Sequence, residues 1–282
     1  MSAVGFLKII RPANAVMAGV ATIIAYFIAT GTLVPAALLL LVVVVLITAA
    51  GNVINDYFDA EIDAVNRADR PIPSGQVSRT AALWYAVVLF SAGIAFSLFT
   101  NVLCAEIAFF NSLLLVLYAA RFKSMPVVGN VVVAYLAGSM FLFGGAFAGL
   151  AGLIHLLPLA VMTFLAMMAR ELLKDAEDVD GDMVGGASTL PIRIGVKKNA
   201  YCAFAFILLS AIASTVPFLL WGWGIQYLVM IGIVDIVLLI AGYRALQCDS
   251  PLCIRNSGAS AVLKYSMFAS LIVFVLSAIY LG

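Results

Sequence analysis

Two stretches of the chain carry side chains of the type and spacing that chemistry needs. The first reads Asn55-Asp56-Tyr57-Phe58-Asp59-Ala60-Glu61-Ile62-Asp63. Asn55, Asp59 and Asp63 stand at i, i+4 and i+8, which on a helix is one column rising about 6 Å per step. Asp56, three residues before Asp59, flanks the same face. Carboxylates this close repel one another, and a hard divalent cation with oxygen ligands is the partner that suits them. The second stretch reads Lys174-Asp175-Ala176-Glu177-Asp178-Val179-Asp180-Gly181-Asp182. Asp175, Asp178 and Asp182 repeat the spacing of Asp56, Asp59 and Asp63, with Lys174 where Asn55 stands. One such cluster alone reads equally well as a solvated loop; the repeated spacing favours metal binding. Two columns facing each other would hold two Mg²⁺ ions, each keeping free positions for a polyphosphate.

Bases accompany the acids. Arg67 and Arg70 follow the first column, Lys123 follows a later apolar helix, and Arg11 opens the first one. Acids for metal and bases for phosphate on one margin describe a diphosphate site. The loop Asp69-Arg70-Pro71-Ile72-Pro73-Ser74-Gly75 is stiff at its prolines and has turn composition. It is either a connector or a lid that presents Arg70 to phosphates. The counterpart after the second column, Gly185-Gly186-Ala187-Ser188-Thr189-Leu190-Pro191, has glycines that suit a flexible hinge.

The elements that must position these groups are apolar. The 282-residue chain is 65% hydrophobic and 10% charged, against about 45–50% and 25% for a soluble domain. The polar residues needed to cover a water-soluble particle are missing, so a soluble enzyme, a disordered chain and a disulfide scaffold are excluded. Apolar stretches between Gly, Pro and charge breaks predict nine membrane-spanning helices near 12–30, 36–57, 80–99, 102–121, 127–149, 153–175, 199–219, 225–245 and 261–281. The N-terminus lacks the form of a signal peptide and is expected to be retained. All fifteen Lys and Arg fall at the N-terminus, in alternate connections or at the span ends that border those connections, and the turns near Gly31, Asn101, Gly152 and Gly222 carry none. The positive-inside rule then puts the N-terminus and the long polar loops in the cytoplasm of a multi-pass cell-membrane protein, with the C-terminus outside. Helices two and six run in the same direction, so the acidic stretches form a parallel repeat at cytoplasmic ends.

The remaining polar residues carry weaker signals. His155 reads as an interfacial residue at the outer edge with no catalytic part. Glu106 lies near the outer end of the fourth helix. Asp235, mid-helix, is either functional or hydrogen-bonded to a neighbouring helix. Cys104, Cys202, Cys248 and Cys253 show no framework, and the last two lack companion ligands for a metal.

Taken together, Asn55-x-x-x-Asp59-x-x-x-Asp63, the acids of Asp175–Asp182, Arg70-Pro71-Ile72-Pro73-Ser74-Gly75 and Tyr118…Lys123…Gly129-Asn130 resemble the UbiA superfamily of intramembrane prenyltransferases, over essentially the whole chain as one domain, residues 1–282. The resemblance implies an all-α polytopic membrane protein with nine transmembrane helices around a central cavity open to the cytoplasmic side and to lipid. It implies that Asn55, Asp59, Asp178 and Asp182 bind Mg²⁺ bridged to an isoprenyl diphosphate, with Asp63 and Asp175 assisting; Asp56 remains a further metal candidate by its place on the same face. Arg67, Arg70 and Lys123 would contact the diphosphate, and Tyr118 would lie beside the developing allylic cation. Ionisation of an allylic C–O bond needs charge stabilised on the leaving group and the cation kept from water. Aromatic and glycine residues of the fifth helix (Tyr135, Gly138, Phe141, Phe143, Gly144, Gly145, Phe147) either line a prenyl tunnel or pack helices.

The opening Ile9-Ile10-Arg11-Pro12-Ala13-Asn14 and the short loops look most like the family's archaeal branch, which makes the second ether bond of archaeal membrane lipids. That resemblance implies geranylgeranyl diphosphate as donor, geranylgeranylglyceryl phosphate as acceptor, and Arg11 and Asn14 among the substrate-binding residues. Prenylation of an aromatic acid is the alternative within the family, and a cation-coupled transporter the alternative outside it. The lipid bilayer is the expected surrounding; a nucleic-acid partner is not expected.

Overall fold

In a computed structural model, residues 2–184, 186 and 188–281 are described, apart from the side chains of Asn66 and Val184. Gly185 and Ala187 of the expected hinge lie outside the described residues. The described residues hold nine helices long and apolar enough to cross a membrane: Pro12–Thr30, Pro35–Phe58, Arg79–Ser97, Val102–Ala120, Val128–Phe147, Leu150–Glu177, Val196–Trp221, Ile225–Leu246 and Pro251–Tyr280. They match the nine predicted spans to within a few residues, except that the last begins ten residues earlier, on the short helix Pro251–Ser257. Trp84, Val88, Phe99, Ile212, Leu220 and Ile272 all lie exposed, which suits hydrocarbon rather than water.

By their contacts the residues group into two units: Met1–Phe122 with Met140–His155, and Lys123–Ser139 with Leu156–Gly282. Unit one holds the first acidic stretch. Its core near the acidic end gathers Val53 and Ile54, the turn before Asn55, against Ile9, Val77, Ala82, Ala86 and Ala119. The short helix Ala3–Ile9 is thereby held under the site, and Asn52 Nδ2 donates to Ile10 O at 3.0 Å. Gly144 lets the fifth span lie against the first, since a Cβ there would come within 2.6 Å of Thr22 O.

Unit two holds the second stretch. Leu172 and Leu173, fully buried, anchor the end of the sixth span, and Asn199 Nδ2 donates to Leu172 O at 2.6 Å. At Gly138 a Cβ would meet Ala160 O at 2.6 Å, so this glycine also serves close helix packing. Ser214 Oγ donates to Asp235 Oδ2 at 2.6 Å, and Tyr227 OH donates to Ser214 O at 2.6 Å. Asp235 is thus hydrogen-bonded to the neighbouring chain segment, one of its two expected roles.

The cysteines correct the sequence reading. Cys248 and Cys253 form a disulfide; five residues of separation across the turn between two helices bring the thiols together without any wider framework, while Cys104 and Cys202 are free.

Candidate active site

Both acidic stretches are interrupted at the same place. The second span ends at Phe58 and a short helix runs Ala60–Asn66, with Asp59 at the joint. The sixth span ends at Glu177 and a short helix runs Val179–Val184, with Asp178 at the joint. The single continuous column expected from spacing is therefore a span, a one-residue break and a further turn. The i→i+4 bonding persists across each break. Asp59 N–H donates to Asn55 O and Asp63 N–H to Asp59 O, at 2.9 and 2.8 Å; Asp178 N–H donates to Lys174 O and Asp182 N–H to Asp178 O, at 3.1 and 2.9 Å. The side-chain column thus survives the break, and the acids share a face as the spacing required.

Around the first stretch, charge is tightly paired. Asn55 Nδ2 donates to Asp59 Oδ2 at 2.8 Å. Arg70 Nη1 reaches Asp63 Oδ2 at 2.5 Å and Asp56 Oδ1 at 3.3 Å, while Arg11 Nη2 reaches Asp56 Oδ1 at 2.6 Å. The Asp56 side chain is only 4% exposed, so two guanidinium groups compensate its burial. Arg70 is aimed inward by a compact loop: Ser74 N–H and Ser74 Oγ both donate to Arg70 O, and Val77 N–H donates to Pro71 O. Gly75 closes the turn at φ +73°, a value that favours glycine. Arg11 reaches Asp56 from a left-handed backbone, φ 50° and ψ 65°, at the entrance of the first span. A non-glycine residue held there is strained, and such strain gathers at functional positions. Asn14 lies exposed one turn further on, and Arg67 is exposed at the end of the short helix. Tyr118 sits half-buried in the last turn of the fourth span.

The second stretch is more open. Asn130 Nδ2 donates to Asp175 Oδ2 at 2.8 Å. Asp178 is about half exposed, and its nearest base, Arg255, stands 3.9 Å away while donating to Glu177 O at 2.7 Å. Burial pushes the Asp182 carboxyl above its ordinary value; the Asp178 charge adds to this, and Thr189 and Lys174 oppose it. Lys123, half-buried, lies in the short 3-10 turn Phe122–Ser124 that leads to the fifth span.

The donors in both stretches are amide and carboxylate oxygens, which fit Mg²⁺ rather than a soft metal. Among the described residues no group of three or more His, Cys, Asp or Glu side chains is gathered into a metal site. The donor set suits an ion that keeps positions for other oxygens, as Mg²⁺ commonly does with phosphates. Sequence reasoning missed the partners in these networks. Asn130 was visible only as part of a motif, and the hold of Arg255 on Glu177 crosses 78 residues.

Comparison with known proteins adds the lineage. The UbiA prenyltransferase family matches residues 18–280. Digeranylgeranylglyceryl phosphate synthase from Methanoregula boonei is 59% identical over 278 residues, covering 98% of this chain and 99% of that protein. A solved structure described as giving insight into digeranylgeranylglyceryl phosphate synthase in membranes superposes with a TM-score of 0.87 at 36% identity, covering 98% of each chain. A UbiA homologue from Archaeoglobus fulgidus, solved with GPP and Mg²⁺, shares the fold at a TM-score of 0.63 and 16% identity, over 95% of this chain and 99% of that one. With nine apolar helices among its described residues and a family match over most of its length, this integral membrane protein belongs to the UbiA prenyltransferase family.

Proposed function

We infer that the protein transfers a geranylgeranyl group from geranylgeranyl diphosphate to the free hydroxyl of geranylgeranylglyceryl phosphate, making the second ether bond of an archaeal membrane lipid. The observation that carries this reading is the full-length 59% identity to a digeranylgeranylglyceryl phosphate synthase. The chemistry of both acidic stretches agrees with it.

In the reaction the allylic C–O bond of the donor breaks, the bonding pair leaves with diphosphate, and the acceptor oxygen bonds to the same carbon and gives up its proton. Mg²⁺, when bound, neutralises the charge that accumulates on the leaving diphosphate. Asn55 and Asp59 would hold one ion and Asp178 and Asp182 a second, with Asp175 in support. Asp56 and Asp63 act on the bases instead: their pairs with Arg11 and Arg70 pre-set guanidinium groups beside the metal-binding acids. Arg67 and Lys123 supply further positive charge toward the diphosphate. Tyr118 offers an aromatic face to the allylic cation, and the apolar helix walls exclude water from it. The Archaeoglobus fulgidus homologue, which holds Mg²⁺ and GPP on the same fold, supports the choice of metal.

The concentration of Lys and Arg in alternate connections supports a cytoplasmic N-terminus, cytoplasmic acidic stretches and an external C-terminus. The test of the reaction supplies purified protein with geranylgeranyl diphosphate, Mg²⁺ and either geranylgeranylglyceryl phosphate or 4-hydroxybenzoate. Ether product with the glyceryl phosphate is expected; product with the aromatic acid alone would refute the assignment.

A further inference from the structure

Arg170 and Glu171 form an ion pair inside the sixth span, with side chains 22% and 13% exposed. The mechanism above uses neither. Charged side chains within a span are costly and mark function by default, and this pair faces protein more than lipid. The guanidinium is incompletely used. Its hydrogen-bond partners, the Glu171 carboxylate and a long contact at 3.9 Å to Met167 Sδ, are both at Nη1. Its Nε is buried with no acceptor among the described residues. Nε itself is covered by protein, but a guanidinium that keeps 22% of its side chain exposed has donors left over that an anionic ligand can complete.

The position narrows the ligand. Arg170 precedes Asp175 by five residues and Asp178 by eight, about 7.5 and 12 Å along the helix. If the acids hold the donor's diphosphate, the reacting carbon lies just on their apolar side, and the acceptor hydroxyl must approach it there. The acceptor's own phosphate is a few bonds from that hydroxyl, on the order of 5 Å. An anion-binding group one to two turns from the acids lies at the depth that phosphate needs.

We propose that Arg170 binds the phosphate of the acceptor, with Glu171 fixing the guanidinium, and so selects a phosphorylated glycerol lipid over an uncharged one. The proposal rests on the acceptor assignment above and deepens it. Arg170 is a specificity-determining residue, distinct from the bases placed at the donor's diphosphate.

The test is steady-state kinetics of the purified full-length enzyme, with geranylgeranylglyceryl phosphate and its dephosphorylated analogue, geranylgeranylglycerol, as acceptors. Arg170→Gln should raise the acceptor KM for the phosphorylated lipid about tenfold or more. The donor KM should stay within about twofold, and the poor use of the uncharged lipid should not change. Arg170→Lys keeps the charge but loses Nε and the planar fork; it should show the same selectivity loss, several-fold, and serves if Arg170→Gln does not fold. A raised donor KM would assign Arg170 to the diphosphate instead. Equal losses with both acceptors would make it structural, and no change would remove it from the site. Each of these overturns the inference alone. Absence of wild-type product with either glycerol lipid overturns the acceptor assignment and this inference with it.

Discussion

At Asp59 and at Asp178 the backbone does the same thing: a long apolar span stops, one acidic residue forms the joint, and a short helix carries the next acid onward. The charges around the two joints are managed differently. In the first stretch Asp56 and Asp63 are buried and paired to Arg11 and Arg70. In the second, Asp175 takes an amide hydrogen bond from Asn130, and Asp178 stands half exposed beside a distant Arg255. Repetition of spacing therefore repeats the backbone joint and not the charges around it. The first stretch holds two guanidinium groups in place, whereas the second leaves Asp178 half exposed.

The largest effect should ignore this difference. Replacing Asp59 or Asp178 with Ala removes an oxygen donor at equivalent joints, and each should lower turnover by about a thousandfold or more. Thermal unfolding in detergent should stay near wild type for both, since each relieves carboxylate repulsion. A collapse of folding in either would show that acid to be structural.

The difference should appear when the bases are removed. Arg70→Ala strips Asp63 of its partner and leaves Asp56 to Arg11 alone. Breaking so buried a pair should cost about 2–3 kcal/mol, seen as a lowered unfolding midpoint. Arg255→Ala breaks a pair exposed on both sides, and there the loss should be under about 1 kcal/mol. Equal losses would erase the contrast between the two stretches. A smaller effect concerns Lys123→Ala, which should raise the apparent KM for prenyl diphosphate up to about tenfold with folding intact. An unchanged KM would take Lys123 out of the site.

Much of this was legible along the chain. The nine spans follow from apolar runs, because each must satisfy its own backbone in lipid and so announces itself over about twenty residues. The acids were legible because i+4 spacing is a local, helical signal. The breaks at Asp59 and Asp178 were not, since neither Gly nor Pro marks them. Nor were the choices of partner. Arg70 reads as a phosphate-facing residue, yet it reaches back 7 and 14 residues to Asp63 and Asp56, through a loop folded by its own hydrogen bonds. Asn130 meets Asp175 across 45 residues, a contact that depends on helix packing rather than local pattern. The disulfide was missed because two cysteines five residues apart look the same whether a turn or a helix joins them.

We propose that Mg²⁺-dependent binding of the prenyl diphosphate needs the acids of each stretch. This is tested most directly by titrating Mg²⁺ while measuring binding of an unreactive thiodiphosphate analogue of the prenyl donor to wild type, Asp59→Asn and Asp178→Asn. Mg²⁺ should tighten binding to wild type, and either substitution should abolish most of that tightening. Full Mg²⁺-dependent binding by one of the two variants would contradict it.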